Sequence, residues 1–207
     1  MERTIATTAP ATLLLCLAFW HVAAAAAGSL TELSKERLVF QTTFGDIHMA
    51  FYPNAAPKTV EHIRRCGELG LYNTNYFFRV DRGFVAQTAE INGGRTAPMS
   101  AMQQEVASRH VPLEVHRDVK HNKRGILSMA RGDDPNSGGS SFSILLGPAP
   151  HLDMNYAIFG EVTQGLDTLS KFEEVCVGVT EDWGHVWVCR AQKRSQKNAP
   201  LVEKYMI

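Results

Sequence analysis

Three side chains of different chemistry stand close together in the stretch Phe77-Phe78-Arg79-Val80-Asp81-Arg82-Gly83-Phe84-Val85-Ala86-Gln87. Arg79 carries a guanidinium that stays charged and presents several rigid N–H donors. Phe84 offers an apolar face, and Gln87 an amide able to hold a peptide backbone. A fixed cation beside an apolar surface can favour a transition state over its ground state with no covalent step. On pattern alone, Arg79 and Gln87 also read as solvated sheet residues and Phe84 as core. Other chemistries are less well served. Ser140 or Ser141 with one of the histidines shows neither a nucleophile elbow nor a triad order, and no Gly-rich phosphate loop is present. His110, His116 and His121, at spacings of six and five, have no Cys or close His pair to complete a metal site, so they read as loop residues in solvent.

The elements that must position these groups follow from periodicity. Tyr76 to Val80 and Phe84 to Thr88 are rich in aromatic and β-branched residues, and Asp81-Arg82-Gly83 supplies turn chemistry, so the stretch reads as a hairpin. Phe84 and Gln87 are three apart, so a twist or bulge is needed for both to line one surface. Upstream, Leu38 to Thr42 and Ile47 to Phe51 read as strands joined at Phe44-Gly45-Asp46. Thr59 to Leu69 carries Val60, Ile63 and Cys66 at helical spacing, with Pro57 before it and Gly70 after. Ile91 to Arg124 reads as a surface excursion with helical turns around Met99 to Ala107. Gly125 to Met129, Ser140 to Leu146 and Tyr156 to Val162 read as strands, and Leu166, Leu169 and Phe172 mark a second helix. Short strands with two helices argue for a closed antiparallel structure rather than βαβ units.

Gly125-Ile126-Leu127-Ser128-Met129-Ala130, Asp134-Pro135-Asn136-Ser137, Ser140-Ser141-Phe142-Ser143-Ile144-Leu145 and Leu152-Asp153 through Phe159-Gly160 follow the hairpin in order. Together they resemble the cyclophilin family of peptidyl-prolyl isomerases from about Val39 to Glu174, most nearly its diverged plant members with a hydrophobic leader. The resemblance implies a mainly β fold, a closed eight-stranded antiparallel barrel capped by two helices. His185 to Cys189 is the candidate for its last strand.

The resemblance also implies the activity: rotation of X-Pro bonds in protein substrates, assisting folding, with no cofactor and no metal. Arg79 would donate to the imide nitrogen of the twisted bond, and Gln87 would hold the substrate backbone and orient Arg79. Phe84, Met129, Ala130 and Leu152 map to the proline pocket, and Ser141, Ser143, His151 and Tyr156 to further substrate-binding positions. Four of these depart from the family: Ser141 and Ser143 replace Gln and Phe of its Ser-Gln-Phe-Phe motif, His151 replaces a Trp, and Tyr156 a His. Arg131 stands where Asn is usual. Loss of the Trp implies weak cyclosporin binding, and the departures leave open a binding module or chaperone with little isomerase activity.

The chain of 207 residues balances 21 Lys and Arg against 21 Asp and Glu, so charge points to neither nucleic acid nor an anionic membrane. Residues 1–27 carry Leu13 to Trp20 and Val22 to Ala27 as an apolar run ending in small residues, the pattern of a signal peptide, or of a membrane anchor if uncleaved. The expected compartment is therefore the secretory pathway, the endoplasmic reticulum lumen or outside. Residues 28–37 read as a linker, 38–176 as the cyclophilin-like domain and 177–207 as a divergent C-terminal segment with the basic composition of a solvated tail. Of the cysteines beyond the leader, Cys66 reads as a buried small apolar residue, and the pairing of Cys176 with Cys189 stays open.

Overall fold

The computed structural model describes residues 28–175 and the pair Cys189–Arg190. The expected leader, the Cys176 to Cys189 pairing, residues 185–188 of the candidate last strand and nearly all of the C-terminal segment lie outside the described residues. Strands β1 (Arg37–Thr42) and β2 (Gly45–Phe51) form an antiparallel hairpin. Thr42 closes its turn, with Oγ1 donating to the Gly45 carbonyl and accepting from the Phe44 N–H. Helix α1 (Pro57–Glu68) buries Val60, Ile63 and Cys66, the stripe its spacing predicts. Its N-terminal residue Ala56 offers no capping side chain; the Glu114 carboxylate accepts the N–H groups of Lys58 and Thr59 instead. A cap arriving from so far along the chain leaves no local signature.

Strands β3 (Tyr76–Asp81) and β4 (Val85–Thr88) make the expected hairpin. Gly83 takes φ +71° at its turn, and Phe84 donates its N–H to the Asp81 carbonyl. The register shifts between Phe77 and Arg79, on β3 and not between Phe84 and Gln87 where their spacing called for it. Val85 to Gln87 pair regularly, Arg79 stands opposite Gln87, and Phe84 lies in the turn just before β4. The excursion after Thr88 carries two short helices, α2 (Ile91–Gly94) and α3 (Ala101–Ala107). α3 starts in a capping box, Ser100 with Gln103. β5 (Ile126–Met129), β6 (Phe142–Leu145), a 3₁₀ turn (Pro150–Leu152), β7 (Ile158–Gln164), α4 (Leu166–Val175) and β8 (Cys189–Arg190) complete the order.

All strands join one antiparallel sheet in the order β1-β2-β7-β5-β6-β4-β3-β8. Cys189 and Arg190 pair with Phe77 and Tyr76 at the edge of β3. The fold is mainly β with helices, as expected, but closure by pairing β8 or β3 to β1 is not among the described pairings. α3 falls within the helical turns expected around Met99 to Ala107, and α2 adds a short helix that was not expected. The core is aromatic. Phe40 packs against Tyr72, Phe77 and Phe142 at centroid distances of 5.2 to 6.4 Å, and Phe172 of α4 reaches Phe77 at 5.0 Å. Each such ring contributes about 1.5–3 kcal/mol by burial. Cys66 is buried, and burial pushes its thiol up to about 12.

Candidate active site

Directly opposed residues in a sheet share a face. Met129 with Phe142, Leu127 with Ile144, and Val80 with Ala86 therefore turn to the core, where all six are buried. The intervening pairs turn the other way and align in one row across four strands: Arg79 opposite Gln87, Gln87 opposite Ser143, and Ser143 opposite Ser128. At 4.7–4.9 Å per strand the row is about 14 Å long, room for about four extended residues of a peptide. A groove of about 270 Å³ follows it, walled by Phe84, Val85, Leu152 and Tyr156, with Met129, Ala130 and Arg131 at its border.

The hairpin tip is held firmly. Glu173 of α4 accepts the Gly83 N–H at 2.8 Å and pairs with Arg124 at 2.6 Å. Leu146 donates to the Phe84 carbonyl, and a Cβ at Gly147 would collide with the carbonyl oxygen of Gly83. Phe84 thus projects from a fixed turn. His151 stacks on it with ring centroids 5.3 Å apart. Arg79 lies over the same ring, its Cζ 5.6 Å from the centroid, and gives Nε and Nη2 to Asp81 Oδ2. The Arg131 guanidinium covers Tyr156 at 5.1 Å and donates to the Asn155 carbonyl.

Beside this groove, across Gln87 and Ala130, lies a second hollow of about 370 Å³ bordered by Tyr76, Glu90, Asn92 and Ser141. Ser141 donates to the Thr88 carbonyl at 2.7 Å and accepts from Gln87 Nε2 at 3.3 Å, which ties Gln87 to the residue just before β6. Beneath the groove, His121 links Ser128 to Asp153, 2.9 Å from each. Burial pushes the His121 imidazole below its ordinary value.

A family model described as cyclophilin type peptidyl-prolyl cis-trans isomerase matches residues 37–191. The chain belongs to this family. It is 57% identical over 162 residues to the peptidyl-prolyl cis-trans isomerase CYP23 of Arabidopsis thaliana, covering 78% of this chain and 70% of that one. It is 35% identical over 140 residues to the peptidyl-prolyl cis-trans isomerase-like 3 of Mus musculus, covering 68% and 83%. Among solved structures, a cyclophilin type isomerase of Cryptosporidium parvum, crystallised in the presence of the dipeptide Ala-Pro, superposes with a TM-score of 0.59 at 25% identity, over 76% of this chain and 98% of that one. The function is peptidyl-prolyl cis-trans isomerisation, and a cyclophilin scaffold without that activity is not favoured.

In this cyclophilin, seven expected site residues outside the core face meet at one surface: Arg79, Phe84, Gln87, Ala130, Ser143, Leu152 and Tyr156. Met129 borders the groove yet belongs to the main core cluster. Ser141 is buried and borders the neighbouring hollow, and His151 touches the site through Phe84. Two expectations are corrected. Asp81, not Gln87, holds the Arg79 guanidinium, because a carboxylate two residues along the same strand offers a charged acceptor to Nε and Nη2 together. His121 is no solvated loop residue but 1% exposed, since the segment before β5 passes under the groove. Val85, Asp81 and Ser128 escaped the sequence reading. The period-two register with Arg79 and Ser143 is the signal that would have found Val85 and Ser128.

Proposed function

We propose that Arg79 accelerates rotation by donating a hydrogen bond to the imide nitrogen of an X-Pro bond. Twisting the bond breaks amide resonance and frees the nitrogen lone pair, so that acceptor exists in the transition state alone. The uncatalysed barrier is about 18–20 kcal/mol. Phe84, Leu152 and Tyr156 take the prolyl ring, and Gln87 holds the substrate backbone. The observation that carries this is the single cross-strand row: Arg79 and Gln87 are opposed on β3 and β4, with the apolar wall of Phe84 and Leu152 along the same groove. Proline-containing peptides are therefore the substrates. Ser143, where an aromatic residue would fill the groove, leaves the prolyl site shallow and favours weak substrate binding. His151 against Phe84 leaves a smaller surface than an indole, which favours weak cyclosporin binding.

The finer assignments belong to the same reading. The sheet closes into an eight-stranded barrel through its C-terminal strand, and the apolar leader directs the chain into the secretory pathway. Exchange spectroscopy on an Ala-Pro-containing peptide, with amide and side-chain shifts followed on the labelled protein, tests the site. Cis/trans exchange faster than in the blank, with shifts clustered at Arg79, Gln87 and Tyr156, is the expected result. Exchange without shifts there would place the chemistry elsewhere.

A further inference from the structure

The groove has a floor that bond rotation leaves unused. Ser128 ends the cross-strand row, and its Oγ lies 2.9 Å from His121 Nε2. His121 Nδ1 lies 2.9 Å from Asp153 Oδ1, and the same oxygen accepts the His121 backbone N–H at 2.8 Å. With Asp153 accepting at Nδ1, the ring proton sits there and Nε2 is left to accept from the Ser128 hydroxyl. Lys120 Nζ stands 3.6 Å from Asp153 Oδ2 and helps keep that carboxylate ionised. Hydroxyl, imidazole and carboxylate form a relay of the kind that activates a serine, recognised by geometry rather than by order along the chain.

Three observations turn this relay toward a ligand. Ser128 lines the groove together with Arg79, Phe84 and Tyr156, although it is only 3% exposed. Its register with β7 shifts between Leu127 and Ser128, an irregularity of the kind that re-aims a side chain. Its partner on β6 is Ser143, whose small side chain lines the same groove and sets a hydroxyl donor beside Ser128, about 4.5–5.5 Å away between Cβ atoms. We propose that Ser128 is the nucleophile of an acyl-transfer site for small carboxylic esters, with His121 as general base, Asp153 as positioning residue and Ser143 as donor to the oxyanion.

The step balances without a co-reactant other than water. Ser128 Oγ attacks the ester carbonyl carbon as its proton passes to His121 Nε2. Collapse of the tetrahedral adduct breaks the bond to the alcohol oxygen, which leaves with that proton, and the acyl group stays on Ser128. Water, losing its proton to His121, then attacks the acyl carbon. The carboxylic acid departs and the proton returns to Ser128 Oγ.

The test uses the full chain and p-nitrophenyl acetate, following p-nitrophenolate release and mapping the acetylated peptide, with isomerase activity measured on the same sample. The expected result is acetyl on Ser128, with release falling by about 10²-fold in His121→Gln and by about 10²-fold in Ser143→Ala, which keeps the opening and removes the donor. Ser143→Phe closes the opening and abolishes acetylation of Ser128. If His121→Gln fails to fold, the two changes at Ser143, on the groove side of the sheet, still decide the matter. A sample that isomerises the peptide while Ser128 stays unlabelled overturns the acyl-transfer site and leaves the isomerase reading standing. Release undiminished in Ser128→Ala does the same.

Discussion

Replacing Arg79 by alanine removes the donor assigned to the twisted imide nitrogen. A hydrogen bond from a charged group contributes about 1.5–3 kcal/mol, more in a dry site. Here the Arg79 side chain is 40% exposed, so water screens the interaction and Asp81 already offsets part of its charge. We expect a loss of about 2–3 kcal/mol in the transition state, roughly 30- to 150-fold in kcat/KM. Arg79→Lys keeps the charge but not the fork that grips Asp81 with Nε and Nη2, and should fall between the two. Folding gives a clean control. The Arg79–Asp81 pair lies at the surface, 40% and 30% exposed, where such pairs contribute about 0–1 kcal/mol. The variants should therefore unfold in urea close to the wild type. The assay is cis/trans exchange of an Ala-Pro-containing peptide by NMR at several concentrations, which separates turnover from binding. Arg79→Ala within about threefold of wild type, in a folded sample, would refute the assignment, since no interaction worth 1.5 kcal/mol or more could then be lost.

Three other outcomes follow from the packing and the buried histidines. Phe172→Ala on α4 should cost about 3–5 kcal/mol in chemical denaturation, because Phe172 is 1% exposed and packs on Phe44 and Phe77; a cost under 1 kcal/mol would mean that α4 does not close the core. Gly147→Ala should cost about 1–3 kcal/mol and raise KM more than it lowers kcat, since the new Cβ collides with the turn that carries Phe84; an unchanged KM would count against that turn as the prolyl wall. Burial holds both His62 and His121 below the ordinary histidine value of 6.5, so on acidification the unfolded chain takes up protons first. Stability should be full above about pH 6.5 and fall as pH drops from there toward the folded values, by up to about 1.4 kcal/mol per histidine per pH unit. A urea midpoint that stays flat between about pH 7.5 and 5.5 would contradict this.

Much of the architecture was legible in the chain because it rests on local periodicity. Alternation marked β1, β2 and the β3–β4 hairpin, helical spacing at Val60, Ile63 and Cys66 marked α1, and Leu166, Leu169 and Phe172 marked α4. The spacing of Phe84 and Gln87 called for an irregularity between them, but β4 is regular there and the shift lies on β3, because Phe84 belongs to the turn rather than to the strand. α3 lay within the helical turns expected around Met99 to Ala107, whereas α2 carried no such signal: it spans four residues and contains Gly93 at φ +108°. The Glu114 cap on α1 was invisible for another reason, as its partners lie 55 and 56 residues away.

The same division runs through the site. Residue types and motif order determined that Arg79, Phe84 and Gln87 belong to a prolyl isomerase, because a charged donor, an apolar ring and an amide are properties of single side chains. Which partners they keep was decided by tertiary structure alone. Asp81 holds Arg79, Ser141 tethers Gln87, His151 covers Phe84, and His121 is drawn from an unpatterned loop to join Ser128 with Asp153. Strand pairing brings together residues far apart in the chain, and a hydrogen bond depends on their separation in space, which no sequence period encodes.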